Sequence, residues 1–246
     1  MTLLVNPDAE TLANAVAARF ITRIVDAQST GRVAQVVLTG GRVAAAVYRA
    51  VAESPARNAI DWSRVEFWWG DERFLPDGDP ERNETQARDT LLSHVDVDPA
   101  RVHAMQADRG QGPEAAAEAY AAELAAAAGD DVPAFDVLML GVGPDGHVAS
   151  LFPGYPQLEI DDVPAVAVHD SPKPPPTRIS LTFPAIDRAR EVWFVVSGDD
   201  KTDAVAKALT GGEVPAARPK GLERTLWLLD EAAAKEVPAE VRAAQT

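Results

Sequence analysis

Two hydrophobic periodicities alternate along this chain. In one, four to six apolar residues follow each other and stop at glycine or a polar turn, which reads as a strand buried on both faces of a parallel sheet. In the other, apolar residues recur every three or four positions, as on a helix lying against a core. Residues 33–38, 65–69, 135–140, 191–196 and 225–229 show the first pattern. The run at 163–168 is apolar too, a strand pattern resumes at 179–183, and 102–105 fits a short strand. Leu12, Ala15, Val16, Phe20, Ile24 and Val25 form a helical stripe over 11–27, started by the Asn6-Pro7-Asp8 turn. Further helices are expected at 42–52, 84–92, 114–127, 201–209 and 230–235. The helix at 114–127 is rich in alanine, the best helix former, and Tyr120 and Leu124 should pack inward from it.

Strands alternating with helices predict an α/β fold: one doubly wound domain over residues 1–246 with a mostly parallel central sheet. No repeat, linker or composition break divides the chain. A hydrophobic fraction of 46% permits a substantial core. The formal net charge of −15 argues against nucleic acid and anionic membranes as partners, and it makes any cluster of Arg and Lys more informative. The absence of cysteine excludes disulfides, a thiolate nucleophile and Cys-based metal sites. The first residues lack the basic and apolar regions of a signal peptide, and no apolar run approaches a membrane span of about 18 residues. A soluble cytoplasmic protein is expected.

The most informative stretch is 135–154. Its apolar strand runs into Gly141, Gly143 and Gly146, with Asp145 and His147 beside the third glycine. Open α/β sheets bind their ligands on such loops after a strand. The spacing also fits the dinucleotide fingerprint, but that motif needs a long helix next. Here Pro153 and Gly154 would end a helix after two turns, Pro144 restricts the loop, and Asp161 and Asp162 precede the next apolar run instead of closing it. No G-x-S-x-G elbow is present, and the four histidines show no paired ligand spacing, which disfavours a serine hydrolase and a catalytic zinc site. What remains is a histidine suited to general-base activation of water, with Asp145 either orienting the imidazole or pinning the loop backbone.

Three other segments carry candidate binding residues. Thr39-Gly40-Gly41 lies between a strand and the helix beginning at Arg42, where free N–H groups and the helix dipole favour an anion. Gly70-Asp71-Glu72-Arg73 puts three ionisable residues at a strand's end, and Arg73 is a natural fork for phosphate or carboxylate. The segment Ser171-Pro172-Lys173-Pro174-Pro175-Pro176-Thr177-Arg178 can be neither helix nor interior strand, so an extended, stiff loop holding Lys173 and Arg178 in place is expected. Such a path separates the two cations by at most roughly 16 Å, close enough to face one small ligand from different sides. Lys201 follows a further strand and faces either the site or solvent.

These motifs resemble those of the 6-phosphogluconolactonase family. The family signature G-x-G-x-D-G-H followed by A-S-L-F-P-G matches Gly141 to Gly154 without gaps. The sister glucosamine-6-phosphate deaminases share the first half but continue Phe-Asn-Glu-Pro where this chain has Ser150-Leu151-Phe152-Pro153. The G-D-E-R motif, with Pro76 and Asn83 after it, and the S-P-K-P-P motif with Arg178 also match. One departure is Arg42-Val43, where the family has Ser and Thr.

The resemblance implies a Rossmann-like fold over nearly the whole chain. It implies hydrolysis of 6-phospho-D-glucono-1,5-lactone to 6-phosphogluconate, without metal or cofactor. The catalytic residues would be His147, Asp145 and Arg73. Substrate contacts would come from Gly40, Gly41, Arg42, Asp71, Glu72, Asn83, Gly143, Lys173, Arg178 and Lys201. The partner is a phosphorylated sugar lactone, and a monomer is expected. Two alternatives stay open at this point: a sugar-phosphate isomerase–deaminase, and a non-catalytic sugar-phosphate sensor. The Ser150-Leu151-Phe152 continuation argues against the first, and the presence of His147 against the second.

Overall fold

A computed structural model describes residues 1–129 and 131–243. Six strands form a central sheet, and all its pairings are parallel: β1 (Thr2–Asn6), β9 (Arg224–Asp230), β8 (Glu191–Val196), β5 (Val137–Leu140), β2 (Ala34–Leu38) and β3 (Val65–Trp69), in that spatial order. Alternate side chains supply both faces. Leu138, Leu140, Phe194 and Trp227 join one core with helices α4 (Pro113–Ala128), α5 (Phe183–Ile186) and α6 (Thr202–Leu209). Val137, Met139, Trp193 and Leu228 join the other with α1 (Ala9–Ser29) and α2 (Arg42–Glu53). Double-sided burial explains why these strands read as continuous apolar runs. Asp8 caps α1, as the turn before it predicts, accepting from the Thr11 N–H at 2.7 Å.

Four features depart from the expectations. The short β1 is a strand, paired along its length with β9. The residues at 163–168 and 179–183 do not extend the central sheet. They form β6 (Ala165–Val168) and β7 (Arg178–Leu181), which build a separate antiparallel sheet with β4 (Asp71–Arg73). The charged β4 has no apolar pattern of its own, and pairing with β7 makes it a strand. Val102 makes only a single bridge to Phe67. Finally, residues 231–236 are turns, and a C-terminal helix α7 lies instead at Ala239–Ala243. At the end of β9 the buried Asp230 carboxylate accepts from the Ser197 hydroxyl and from the Gly198 and Ala233 N–H groups, a local network that overrides the helix propensity of the alanines. No helix among the described residues is long and apolar enough to cross a membrane.

Candidate active site

Neighbouring strands β2 and β5 carry their following chain in opposite directions across the sheet, and the crevice beyond their carboxyl ends is the place for a ligand in such a topology. A cavity of about 270 Å³ lies there. Of the residues expected at the site, Gly40, Gly41, Asp71, Arg73, Asn83, Gly143, His147, Lys173, Arg178 and Lys201 line it. Arg42, Glu72 and Asp145 do not. Arg42 lines an adjoining cavity of about 550 Å³ that shares Gly40, Gly41, Gly141, Val142 and Lys201 with the first.

His147 stands on the loop after β5, which continues as turns with no helix before Pro153. Its Nδ1 is 2.5 Å from Asp145 Oδ1, and the same oxygen lies 3.5 Å from the His147 backbone N–H. Asp145 therefore orients the ring, while the loop is closed by the Gly143 N–H donating to the His147 carbonyl at 2.9 Å. With Nδ1–H donating to the carboxylate, Nε2 is left as the acceptor. Partial burial pushes the Asp145 carboxyl up, but the hydrogen bond and charge of His147, and the charge of Lys173, outweigh it and hold the group at about 2. Lys173 Nζ is 3.8 Å from the same oxygen. The Phe152 ring packs against the imidazole, with centroids 4.5 Å apart.

This arrangement needs glycine at 143. A methyl group there would come within 2.1 Å of the His147 ring and 2.5 Å of Asp145 Oδ1. Gly143→Ala should therefore displace the pair and lower kcat by roughly 10²-fold, as misplacement of a catalytic group by about 1 Å can do. Steady-state kinetics on the folded variant would test this; an unchanged kcat would show that the pair is not needed in this position.

The opposite wall is equally tight. A methyl group on Gly40 would lie 1.8 Å from Asn83 Oδ1. Asn83 is buried at the start of α3 (Asn83–Thr90), and its Nδ2 donates to the Asp71 carbonyl at 2.8 Å. Its Oδ1 has no hydrogen-bond partner among the described residues. Two buried tyrosines set the strand ends that carry these loops. The Tyr48 hydroxyl bonds both backbone groups of Thr39, and the Tyr120 hydroxyl does the same for Trp69. Tyr120 was legible only as a packing residue, because nothing in the sequence pairs its hydroxyl with a strand end 51 residues away. Ala149 on the cavity wall has a φ of 48°, a left-handed conformation that costs a non-glycine residue about 1–3 kcal/mol.

The proline-rich loop does not run extended. It folds back around Arg178, whose guanidinium donates to the carbonyls of Lys173, Pro174 and Pro175 at 3.0–3.2 Å. Lys173 and Arg178 still line one cavity, but the arginine serves as the loop's spindle as well as a cavity cation. The site is crowded with positive charge. Burial first, then Lys201 and Arg178, push the Lys173 ammonium down despite Asp145; burial first, with Arg73, pushes Arg178 down despite Asp71 and Glu72. Such groups are relieved by an incoming anion.

Glu72 was expected at the substrate, and its side chain is instead wholly buried behind the wall. Its Oε1 accepts from the N–H groups of Arg73 and Asn83, both at 2.7 Å, and its Oε2 accepts from Glu84 N–H at 2.9 Å. It thereby caps α3, for which the N-cap residue Arg82 offers no side-chain bond. Burial pushes its carboxyl up to about 7, against the opposing effects of Arg82 and the three N–H groups. Among the described residues, no group of three or more His, Asp or Glu side chains is placed to hold a metal ion.

Comparison with known proteins identifies the family. Residues 7–227 match the family described as glucosamine-6-phosphate isomerases/6-phosphogluconolactonase. The chain belongs to that family. It is 58% identical over 246 residues to a 6-phosphogluconolactonase of Streptomyces coelicolor, covering 96% of this chain and 94% of that protein. It is 48% identical over 240 residues to one of Mycobacterium tuberculosis, covering 94% and 96%. Among solved structures, 6-phosphogluconolactonase from Thermotoga maritima superposes with a TM-score of 0.82 at 28% identity, covering 93% of this chain and 99% of that one. The Trypanosoma brucei enzyme gives 0.82 at 27%, covering 96% and 98%. A monomeric glucosamine-6-phosphate deaminase shares the fold, with a TM-score of 0.79 at 20% identity over 97% of this chain and 100% of that one.

The 6-phosphogluconolactonases and the monomeric glucosamine-6-phosphate deaminase thus share this fold. Ser150 is fully buried and donates from Oγ to Asp71 Oδ2 at 2.7 Å, tying the loop after β5 to the cavity-lining carboxylate of β4. The sequence disfavours a serine hydrolase but does not reveal this role of Ser150, because its partner lies 79 residues earlier.

Proposed function

We propose that the chain hydrolyses 6-phospho-D-glucono-1,5-lactone to 6-phosphogluconate, the second step of the oxidative pentose phosphate pathway. The observation that carries this reading is a histidine oriented by a carboxylate, facing a cavity that also holds Arg73, Lys173, Arg178 and Lys201. His147 Nε2 takes a proton from water as its oxygen bonds to the lactone carbonyl carbon. The carbonyl electrons move to oxygen, and the resulting oxyanion is stabilised by the surrounding cations. When the carbonyl reforms, the bond to the ring oxygen breaks, and that oxygen takes the proton back from Nε2. The product acid then ionises. Asp145 stabilises the imidazolium between the two transfers. The phosphate is held by the remaining cations and by the first turn of α2, which has no side-chain cap and so offers its N–H groups. Arg42 at that turn supplies a guanidinium where the family motif has a hydroxyl.

The test follows the loss of freshly prepared 6-phosphogluconolactone with and without the protein, in mildly acidic buffer to suppress spontaneous hydrolysis. Protein-dependent loss of lactone is expected. Ammonia release from glucosamine 6-phosphate, with no acceleration of lactone loss, would overturn the proposal in favour of the sister activity.

A further inference from the structure

We infer that Glu72 is a positioning residue for substrate binding: its buried carboxylate fixes, from behind the cavity wall, the backbone from which Arg73 and Asn83 meet the ligand. This rests on the lactonase reading for the identity of the ligand. Glu72 itself does not line the cavity, whereas Asp71 and Arg73 on either side of it do, and so does Asn83 at the start of α3. One oxygen of Glu72, Oε1, accepts from the backbone N–H of both Arg73 and Asn83, and so joins β4 to α3 through a single atom. Arg82 Nη2, 3.7 Å from Oε2, supplies the buried countercharge.

The two residues clamped in this way each keep an unsatisfied polar atom. Asn83 Oδ1 and Arg73 Nε are buried without hydrogen-bond partners among the described residues. Both atoms are closed off from solvent, so they show how tightly the wall is packed around these two residues and are not themselves ligand contacts. The wall has no slack: Gly40 lacks a side chain where Asn83 Oδ1 approaches. A shift of α3 relative to β4 would displace Arg73 and Asn83, both of which line the cavity, together. The clamp needs the carboxylate form, because both of its oxygens then accept and three N–H groups need acceptors; burial opposes that form, and Arg82 and the three N–H groups favour it. Glutamine would turn an NH₂ group toward one of them.

The test compares Glu72→Gln in the wild-type chain and in an Arg73→Ala, Asn83→Ala background. In the first, KM for the phosphorylated lactone should rise at least about tenfold, with a smaller change in kcat because His147 stands on a different loop. In the second, the same substitution should cost less than about twofold, because the residues it acts through are gone. Hydrogen exchange at the Arg73, Asn83 and Glu84 amides should accelerate in Glu72→Gln, independently of any substrate. If the glutamine variant does not fold, Glu72→Asp keeps the charge but shortens the reach by one methylene, and it should show the same KM rise and the same loss of effect in the double-alanine background. An unchanged KM with a lower Tm, an equal KM penalty in both backgrounds, or unchanged amide protection would each overturn the inference. Failure of the wild type to hydrolyse the lactone would reject the proposed reaction instead, and amide exchange would still report on the clamp.

Discussion

His147→Ala should lower kcat for 6-phosphogluconolactone by roughly 10²–10⁴-fold, the range general-base catalysis contributes, with little change in substrate affinity. The ring is fixed by its 2.5 Å contact with Asp145 and by Phe152, so its loss removes an aligned base and leaves the cationic walls in place. The Asp145 carboxyl, held at about 2, stays ionised at any ordinary working pH and continues to favour the imidazolium that proton abstraction creates. Steady-state kinetics on the variant, with folding checked by circular dichroism and thermal melting, would measure the effect. Turnover close to wild type would remove His147 from the mechanism.

Glucono-1,5-lactone without the phosphate should be a far poorer substrate, with kcat/KM lower by at least about 10²-fold. The chain carries a net charge of −15, so attraction for an anion has to come from the local cluster rather than from the protein's overall field. Within that cluster Lys173 is pushed down by burial, Lys201 and Arg178, and Arg178 by burial and Arg73. A dianionic phosphate relieves this repulsion, and a neutral lactone leaves it uncompensated. Side-by-side assays of the two lactones decide the point. Comparable kcat/KM values would mean that the cations serve only the carbonyl end of the substrate, or the fold.

Much of the site was legible because glycine and charge were out of place for a core. Gly40, Gly143, Asp71 and His147 follow apolar strands directly, where a buried run leads the chain to one edge of the sheet. The five strongly apolar strands were legible for the same reason: burial on both faces leaves no alternation to obscure the run. The segments that misled are those whose structure depends on a distant partner. β4 reads as a charged turn until β7 pairs with it, and the proline loop reads as extended until Arg178 gathers its carbonyls. Glu72 reads as a ligand contact because it is one of three ionisable residues in a row at a strand's end, yet the short β4 strand buries it.

The sequence by itself determined the α/β class, the glycines, aspartate and histidine of the loop after β5, and the cations that line the cavity. These follow from hydrophobic periodicity and from the types of residue at strand ends, which are local properties. Only the tertiary structure decided that β4, β6 and β7 form a second sheet and that Asp145 holds the His147 ring. It alone decided that Glu72 caps α3 and that Ser150 is bound to Asp71. Each of these is a hydrogen bond or strand pairing whose direction depends on where the backbone has already been placed. For Glu72 and Ser150 the partners come from separate segments brought together by the core, while Asp145 reaches His147 only because the glycine turn folds the loop upon itself.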